Sequence, residues 1–134
     1  STLDSMLGYR TGRLYWMGTA GARLDDVLTW IPCRIVMVTL PLVAQPWSRW
    51  IDLVRAAEHD GSPDPSPNAG RSEASFAHCA CIRLGGRNRY GTNWVDKPIL
   101  AENYPLPNRT AITRVLNLNL KLELFWLLGV ILIW

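Results

Sequence analysis

The chain has 134 residues, of which 49% are hydrophobic and 19% charged, and its formal net charge is +3. This length suits a single domain, and a basic excess so small and dispersed argues against a nucleic-acid partner while remaining compatible with anionic substrates or lipid headgroups. The three cysteines form no Cys-x-x-Cys pair and the two histidines stand apart, which argues against disulfide and zinc frameworks.

The first nineteen residues contain several glycines and predict a loop or short helix at a polar surface. Asp4 and Ser5 supply an acid and a hydroxyl, and Tyr9 and Arg10 follow within the same short span. Turns often have this composition, so the segment is a candidate ligand contact only in combination with others.

A helical, largely apolar pattern follows, and residues 27–47 are about the ~20 residues that a bilayer-crossing helix needs. Two prolines and Arg34 interrupt this span. Proline is tolerated in membrane helices, and a charge within one usually has a function. The sequence therefore predicts a membrane span, and the buried helix of a soluble protein is the alternative.

Charged residues lie on one face of this helix, where Arg23, Asp26, Trp30 and Arg34 are three or four residues apart. Asp25 is adjacent to Asp26. Neighbouring carboxylates that stay charged usually have a cation nearby, and Mg²⁺ bound with phosphate substrates takes one or two carboxylates. The two aspartates therefore predict a Mg²⁺ site, and a surface ion pair of small energy is the alternative.

Residues 52–65 are charged and rich in turn formers, so they predict an exposed polar loop. Ser66 and Pro67 then form a helix-start signal. Gly85 and Gly86 form a stop signal, so the predicted helix covers about 67–84.

The start of that helix offers free N–H groups and a partial positive charge that suit a phosphate or carboxylate. Ser66 and Asn68 add a hydroxyl and an amide, and Gly70 lets a ligand approach the backbone closely. Glu73 lies one turn further on, where it can orient a cation or an attacking amine. The alternative is an ordinary capped helix.

The C-terminal third of the chain predicts a loop over 87–107 and then a helix beginning near Thr110. Its apolar tail, 122–134, is long enough for roughly half a bilayer. The sequence thus predicts an all-α fold: a helical integral membrane protein with few helices and long polar loops.

The segments in this order resemble the C-terminal half of the CobD/CbiB family, the adenosylcobinamide-phosphate synthases. The resemblance runs from the first residue to about Pro107. It is carried by Thr2-Leu3-Asp4-Ser5-Met6-Leu7-Gly8-Tyr9-Arg10, Ala22-Arg23-Leu24-Asp25-Asp26, Trp30-Ile31-Pro32-Cys33-Arg34, Ser66-Pro67-Asn68-Ala69-Gly70, Glu73-Ala74, Arg83-Leu84-Gly85-Gly86, Tyr90-Gly91 and Lys97-Pro98.

The resemblance implies a multi-pass enzyme of the bacterial inner membrane that works late in cobalamin biosynthesis. Such enzymes join a carboxylate of adenosylcobyric acid to the amine of aminopropanol phosphate, consuming ATP. For this chain it implies ATP and Mg²⁺ as cofactors, and a corrinoid and an amino-alcohol phosphate as substrates. The catalytic candidates are Asp25, Asp26 and Glu73, with Asp25 and Asp26 also as metal ligands. The substrate-binding candidates are Asp4, Ser5, Tyr9, Arg10, Arg23, Arg34, Ser66, Asn68, Gly70, Arg83 and Lys97.

Two positions depart from the family pattern, since Asp64 stands where histidine is common and Cys33 stands where alanine is common. The absence of the N-terminal half puts self-sufficient activity in doubt. The expected partners are membrane lipid, that missing half and other late corrin-pathway membrane enzymes. Two alternatives stay open: a non-catalytic membrane subunit that binds corrinoid or scaffolds those enzymes, and a soluble helical interaction module.

Overall fold

Four α-helices and one β-hairpin make up the part of the chain that the computed structural model describes, residues 15–44 and 46–134. A short 3₁₀ turn, Trp47–Arg49, joins the first two helices. In chain order the elements are α1 (Tyr15–Ala44), α2 (Trp50–Gly61), α3 (Ala69–Ala80), β1 (Leu84–Tyr90), β2 (Asn93–Leu100) and α4 (Arg109–Ile133).

The predicted predominance of helix is confirmed, but the expectation of an all-α chain is wrong. Most of the hairpin comes from the predicted loop 87–107, where Tyr90 pairs with Asn93 in antiparallel register. Gly91 opens the two-residue turn with a φ of +61°, a conformation that glycine adopts without steric cost. The glycines and arginines of β1 give it no alternation of apolar and polar residues, so no strand pattern was visible in the sequence.

The prediction of a polar loop over 52–65 is also wrong for most of that range, because Trp50–Gly61 forms helix α2. Leu53, Ala57 and Gly61 are buried and four residues apart, which places them on one helical face. The charged residues between them occupy the other faces. A high count of charges concealed a short amphipathic helix.

Helix α3 is shorter than the predicted 67–84 and does not end at the glycine pair. Cys81 ends it by adopting the left-handed conformation, with a φ of +53°. Gly85 and Gly86 have φ values of +82° and +78° and lie within β1, at an irregularity of its pairing with β2. These two glycines therefore bend a strand and do not stop a helix.

Helices α2 and α3 approach each other at two glycines. A Cβ on Gly70 would lie 2.6 Å from the carbonyl oxygen of Gly61, and a Cβ on Gly61 would lie 2.5 Å from Arg71 Cα. Beside this contact Arg71 forms a forked pair with Glu58, with Nη2–Oε1 at 2.7 Å and Nε–Oε2 at 2.8 Å. The pairing lowers the pKa of Glu58 and raises that of Arg71.

Asp60, near the end of α2, fixes α3 and the hairpin to that helix. Its Oδ2 accepts from His78 Nε2 at 2.8 Å and from the backbone N–H of Ala101 at 2.9 Å, and its Oδ1 lies 2.9 Å from His59 Nδ1. Burial alone would raise the pKa of Asp60, but the hydrogen bonds from His59, Ala101 and His78 outweigh burial and lower it.

Helices α1 and α4 share an apolar cluster with the end of α3, and this cluster includes Leu40, Ala80 and Leu118. Across it the indole N–H of Trp126 donates to the hydroxyl of Thr39 at 3.1 Å. At the end of α1 the indole of Trp47 donates to the carbonyl of Leu42 at 2.9 Å. This bond supplies a donor to the last helical turn, whose carbonyls lack helical partners.

Two helices are long and apolar enough to cross a membrane by length and composition: Thr19–Ala44 within α1, and α4. The first agrees with the predicted span 27–47 but begins earlier. The helix predicted from near Thr110 is confirmed. Its apolar tail, 122–134, would cover only half a bilayer by itself, but the whole helix has 25 residues and is long enough to cross one. Most of the side chains in both helices face away from the rest of the described chain.

The α2–α3 contact predicts a strong difference between two glycine-to-alanine substitutions. Gly70→Ala should lower the free energy of unfolding by about 1–3 kcal/mol or more, because its new methyl group meets α2 backbone. Gly129→Ala is the matched control, since a methyl group added there would meet no other part of the described chain within 4 Å, and it should be neutral or stabilising by up to about 1 kcal/mol. Thermal unfolding followed by circular dichroism in detergent measures both, and equal shifts would contradict the close helix contact.

The lowered pKa of Asp60 predicts a stability contribution that is present above about pH 4, the range of an unfolded aspartate. It should be lost as the pH falls through the still lower value of the folded state. Asp60→Asn should therefore reduce stability at neutral pH and flatten the decline below about pH 4. Glu102→Gln is the control, because Glu102 is an exposed carboxylate in the surface groove that Asp60 and His78 also line. If the stability of Asp60→Asn and of the parent chain changed identically with pH, the stabilising role of the Asp60–His78 pair would be disproved.

Candidate functional site at the start of helix α3

A pocket of about 630 Å³ lies between α1 and the start of α3. Its lining includes both predicted metal ligands, Asp25 and Asp26, and two predicted substrate contacts, Ser66 and Asn68. The fold thus brings together two segments that are about 40 residues apart in the chain. This convergence makes the pocket the candidate functional site.

Asn68 anchors the start of α3 to α1. Its side chain amide Nδ2 donates to the backbone carbonyl of Asp26 at 2.6 Å and to the hydroxyl of Thr29 at 2.9 Å. Its backbone carbonyl accepts from the thiol of Cys33 at 3.3 Å. The residue is 5% exposed, and its Oδ1 is buried with no hydrogen-bond partner in the described part of the chain.

The sequence predicts Ser66 as the N-cap of α3, but the N-cap is Asn68; Ser66 lies two residues earlier and contacts both the first residue of α3 and helix α1. Its hydroxyl accepts from the backbone N–H of Ala69 at 3.3 Å and lies 3.2 Å from Asp26 Oδ1, to which it donates. The backbone N–H of Ser66 donates to Asp64 Oδ1 at 2.9 Å, so the family-atypical Asp64 shapes this turn. The carboxylates of Asp26 and Asp64 therefore both lie beside the start of α3.

The described residues that line the pocket include two carboxylates and no lysine or arginine. Arg23 lies outside the lining, and Arg34 lies over the Trp30 ring at 5.0 Å while donating to Cys33 Sγ at 3.4 Å. At roughly 100° per residue, Arg23, Trp30 and Arg34 share one side of α1 while the pocket faces another. The predicted stripe exists, but its arginines do not enter this pocket.

Four further predicted residues lie outside the pocket lining. Glu73 pairs with Lys97 of β2, with 3.7 Å between Oε1 and Nζ, so two candidates from different segments meet outside the pocket lining. Arg83 follows the far end of α3, roughly 18 Å from its start. Gly70 faces α2 and its loop, not the pocket.

The remaining candidates, Asp4, Ser5, Tyr9 and Arg10, lie outside the described residues. Conversely, the pocket contains Thr29 and Cys33, which sequence reasoning did not assign to a site. Thr29 and Cys33 lie within two helical turns of Asp26 and share one face of α1 with it. This spacing is the signal in the sequence that could have identified them as pocket residues. The Asp60–His78 pair was also missed, because no local pattern connects residues 18 apart in different helices.

The donor set suits a hard cation. Among the described residues no group of three or more His, Cys, Asp or Glu side chains is arranged to hold a metal ion. Mg²⁺ keeps several of its waters and needs only one or two carboxylates. Asp25, Asp26 and the unpartnered Asn68 Oδ1 supply oxygen ligands of the kind it uses.

Comparisons with known proteins agree on one family. A family model described as "CobD/Cbib protein" matches residues 1–119. The cobalamin biosynthesis protein CobD of Synechocystis is 43% identical over 103 residues, covering 76% of this chain and 29% of that protein. The CobD of Mycobacterium tuberculosis is 40% identical over 106 residues, covering 76% and 33%.

The CobD of Yersinia enterocolitica is 35% identical over 131 residues, covering 96% of this chain and 41% of that protein. The chain therefore spans well under half the length of these curated relatives. No solved structure matches it.

Proposed function

The chain belongs to the CobD/Cbib family, and we propose that it is the substrate-binding portion of an ATP-dependent, amide-forming enzyme of cobalamin biosynthesis. The proposed reaction joins a carboxylate of adenosylcobyric acid to the amine of aminopropanol phosphate, which gives adenosylcobinamide phosphate. The names of the curated relatives support the pathway, and the pocket between α1 and α3 supports a binding role.

The observation that carries this proposal is the meeting of Asp25 and Asp26 with the Ser66–Asn68 turn in one pocket. Phosphate-bearing substrates need positive charge near two carboxylates, and the described lining offers no basic side chain. Mg²⁺ held by Asp25 and Asp26 would supply that charge. The partial positive charge at the start of α3 would then orient the ligand, and Ser66 would position the Asp26 carboxylate, to which its hydroxyl donates.

The other candidate residues keep narrower proposed roles. Glu73 would orient a cation or the amine, and Lys97, which it contacts here, would bind an anionic group of a ligand extending beyond the pocket. Arg23, Arg34 and Arg83 would meet substrate anions or lipid phosphates from outside the pocket lining. These assignments rest on the family pattern alone. The proposed roles of Asp25 and Asp26 have additional support, because both residues line the pocket.

We also propose that α1 and α4 cross the bacterial inner membrane as part of a multi-pass protein. The support is the length and composition of the two helices and the apolar arc of α1. Leu24, Val27, Leu28, Ile31 and Ile35 are all exposed, by 46% to 70%, and they share one side of the helix. An exposed apolar surface of this extent marks contact with a membrane or a partner.

The membrane proposal predicts that the expressed chain stays in the membrane pellet after alkaline carbonate washing. A chain that carbonate releases, and that is monomeric without detergent, would contradict it. A variant with Val27→Asp and Ile31→Asp tests the arc directly and should lower the pelleted fraction. Arg87→Asp, on the exposed hairpin, is the control that should leave it unchanged.

The catalytic proposal predicts that Asp25→Asn and Asp26→Asn each lower turnover by about 10² or more in an active full-length protein carrying this segment. Asp96→Asn is the control, because its carboxylate is 82% exposed and lies 3.9 Å from Arg87 Nε, away from the pocket. The measurement is ATP-dependent formation of adenosylcobinamide phosphate. Near-normal turnover in both variants would overturn the role of the pocket. Binding without turnover, even with the N-terminal part supplied, would favour the non-catalytic subunit.

A further inference from the structure

The hydroxyl groups of the α1–α3 pocket are already committed to hydrogen bonds within the chain. Thr29 Oγ1 donates to the backbone carbonyl of Asp25 at 2.7 Å and accepts from Asn68 Nδ2. Ser66 Oγ donates to Asp26 Oδ1 and accepts from the backbone N–H of Ala69. Each hydroxyl has one proton to donate, so neither retains a donor for a ligand.

The Asn68 amide likewise has both donors engaged and its acceptor free. Nδ2 faces the carbonyl of Asp26, which can only accept, so the orientation of the amide is fixed by its surroundings. Its Oδ1 is buried without a partner in the described part of the chain. A buried acceptor left unpaired is destabilising, and a donor on a bound ligand would remove that cost.

The free hydrogen-bonding capacity of the pocket side chains is therefore that of acceptors. The free acceptors are Asn68 Oδ1, the Asp25 carboxylate and Asp26 Oδ2. No described residue donates a hydrogen bond to any of them. Phosphate oxygens are themselves acceptors and negatively charged, so these groups repel them. A primary ammonium group is the complement, because it is positively charged and donates three hydrogen bonds.

We propose that Asn68 Oδ1 and the Asp26 carboxylate hold the primary ammonium group of an amino-alcohol phosphate. This inference rests on the proposed function and assigns which end of that substrate the pocket recognises. With Asp26 given to the ammonium group, the metal role of the two carboxylates narrows to Asp25, because one carboxylate is enough for Mg²⁺ that also binds the phosphate end. The start of α3 thus acts through a polar side chain that it positions, because its backbone N–H groups at Asn68 and Ala69 already donate to Ser66 Oγ.

A pair of ligands tests the proposal on the unaltered chain. The first probe is aminopropanol phosphate and the second is isopropyl phosphate, which keeps the phosphate and lacks the amino group. Isothermal titration of the full 134-residue chain in detergent, with Mg²⁺ present, should show at least tenfold weaker binding of isopropyl phosphate. Free aminopropanol, with the amine and no phosphate, should compete with the first probe.

A variant then assigns the selectivity to Asn68. Asn68→Ala should bring the affinities for the two phosphates within about twofold of each other. Ser72→Ala is the matched control, because Ser72 lines the same pocket but donates only to backbone carbonyls of its own helix turn, at 3.0–3.1 Å. It should keep the selectivity. Circular dichroism of each variant checks that α-helix content is unchanged, and the ligand pair decides the matter even if Asn68→Ala fails to fold.

The outcomes separate this inference from the function on which it rests. Equal, Mg²⁺-dependent binding of the two phosphates by the parent chain would overturn the ammonium site and leave the proposed phosphate site standing. Selectivity that persists in Asn68→Ala with normal helix content would overturn the role of Asn68. Failure of the parent chain to bind either phosphate would overturn both proposals for this pocket.

Discussion

The two hydrogen bonds from the Asn68 side chain to α1 are the constraint on which the candidate site depends. They fix the first residues of α3 against Asp26 and Thr29, and the Cys33 thiol adds a third contact to the same residue. Because Asn68 is itself buried, breaking one of its hydrogen bonds leaves an unsatisfied polar atom, and the bonds therefore hold its position. The pocket is therefore built before any ligand arrives, which spares a ligand the cost of ordering it.

Other interactions fix the opposite side and the far end of α3: close backbone packing and ion pairs. On its α2 side, Gly70 and Gly61 bring the two backbones close and Arg71 spans them to Glu58. Near its end, His78 and Asp60 join the helix to the hairpin through Ala101. Because α3 is clamped along its length, a substitution at Gly70 should act on the fold, whereas one at Asp25 changes mainly the charge of the pocket.

Sequence reasoning succeeded where the signal was local. The Ser66 hydroxyl accepts from the first N–H of α3, close to where the helix-start signal places it, and Trp30 and Arg34 lie on one side of α1, as their spacing of four residues predicts. It failed where distant segments decide the outcome: Gly85 and Gly86 serve a strand because β2 pairs beside them. The adjacency of Asp25 and Asp26 was visible, but the absence of arginine from the described pocket lining was not. That depends on where α3 meets α1.

The division of α1 into two faces explains how one helix can carry carboxylates and still be apolar enough to span a membrane. Its pocket side holds Asp25, Asp26, Thr29 and Cys33, and its exposed apolar arc lies roughly opposite. An aspartate facing lipid would be costly, whereas here the Ser66–Asn68 turn covers that side and gives Asp26 a donor. The polar turn before α3 thus gives the charged groups of α1 polar neighbours, which the proposed membrane span requires.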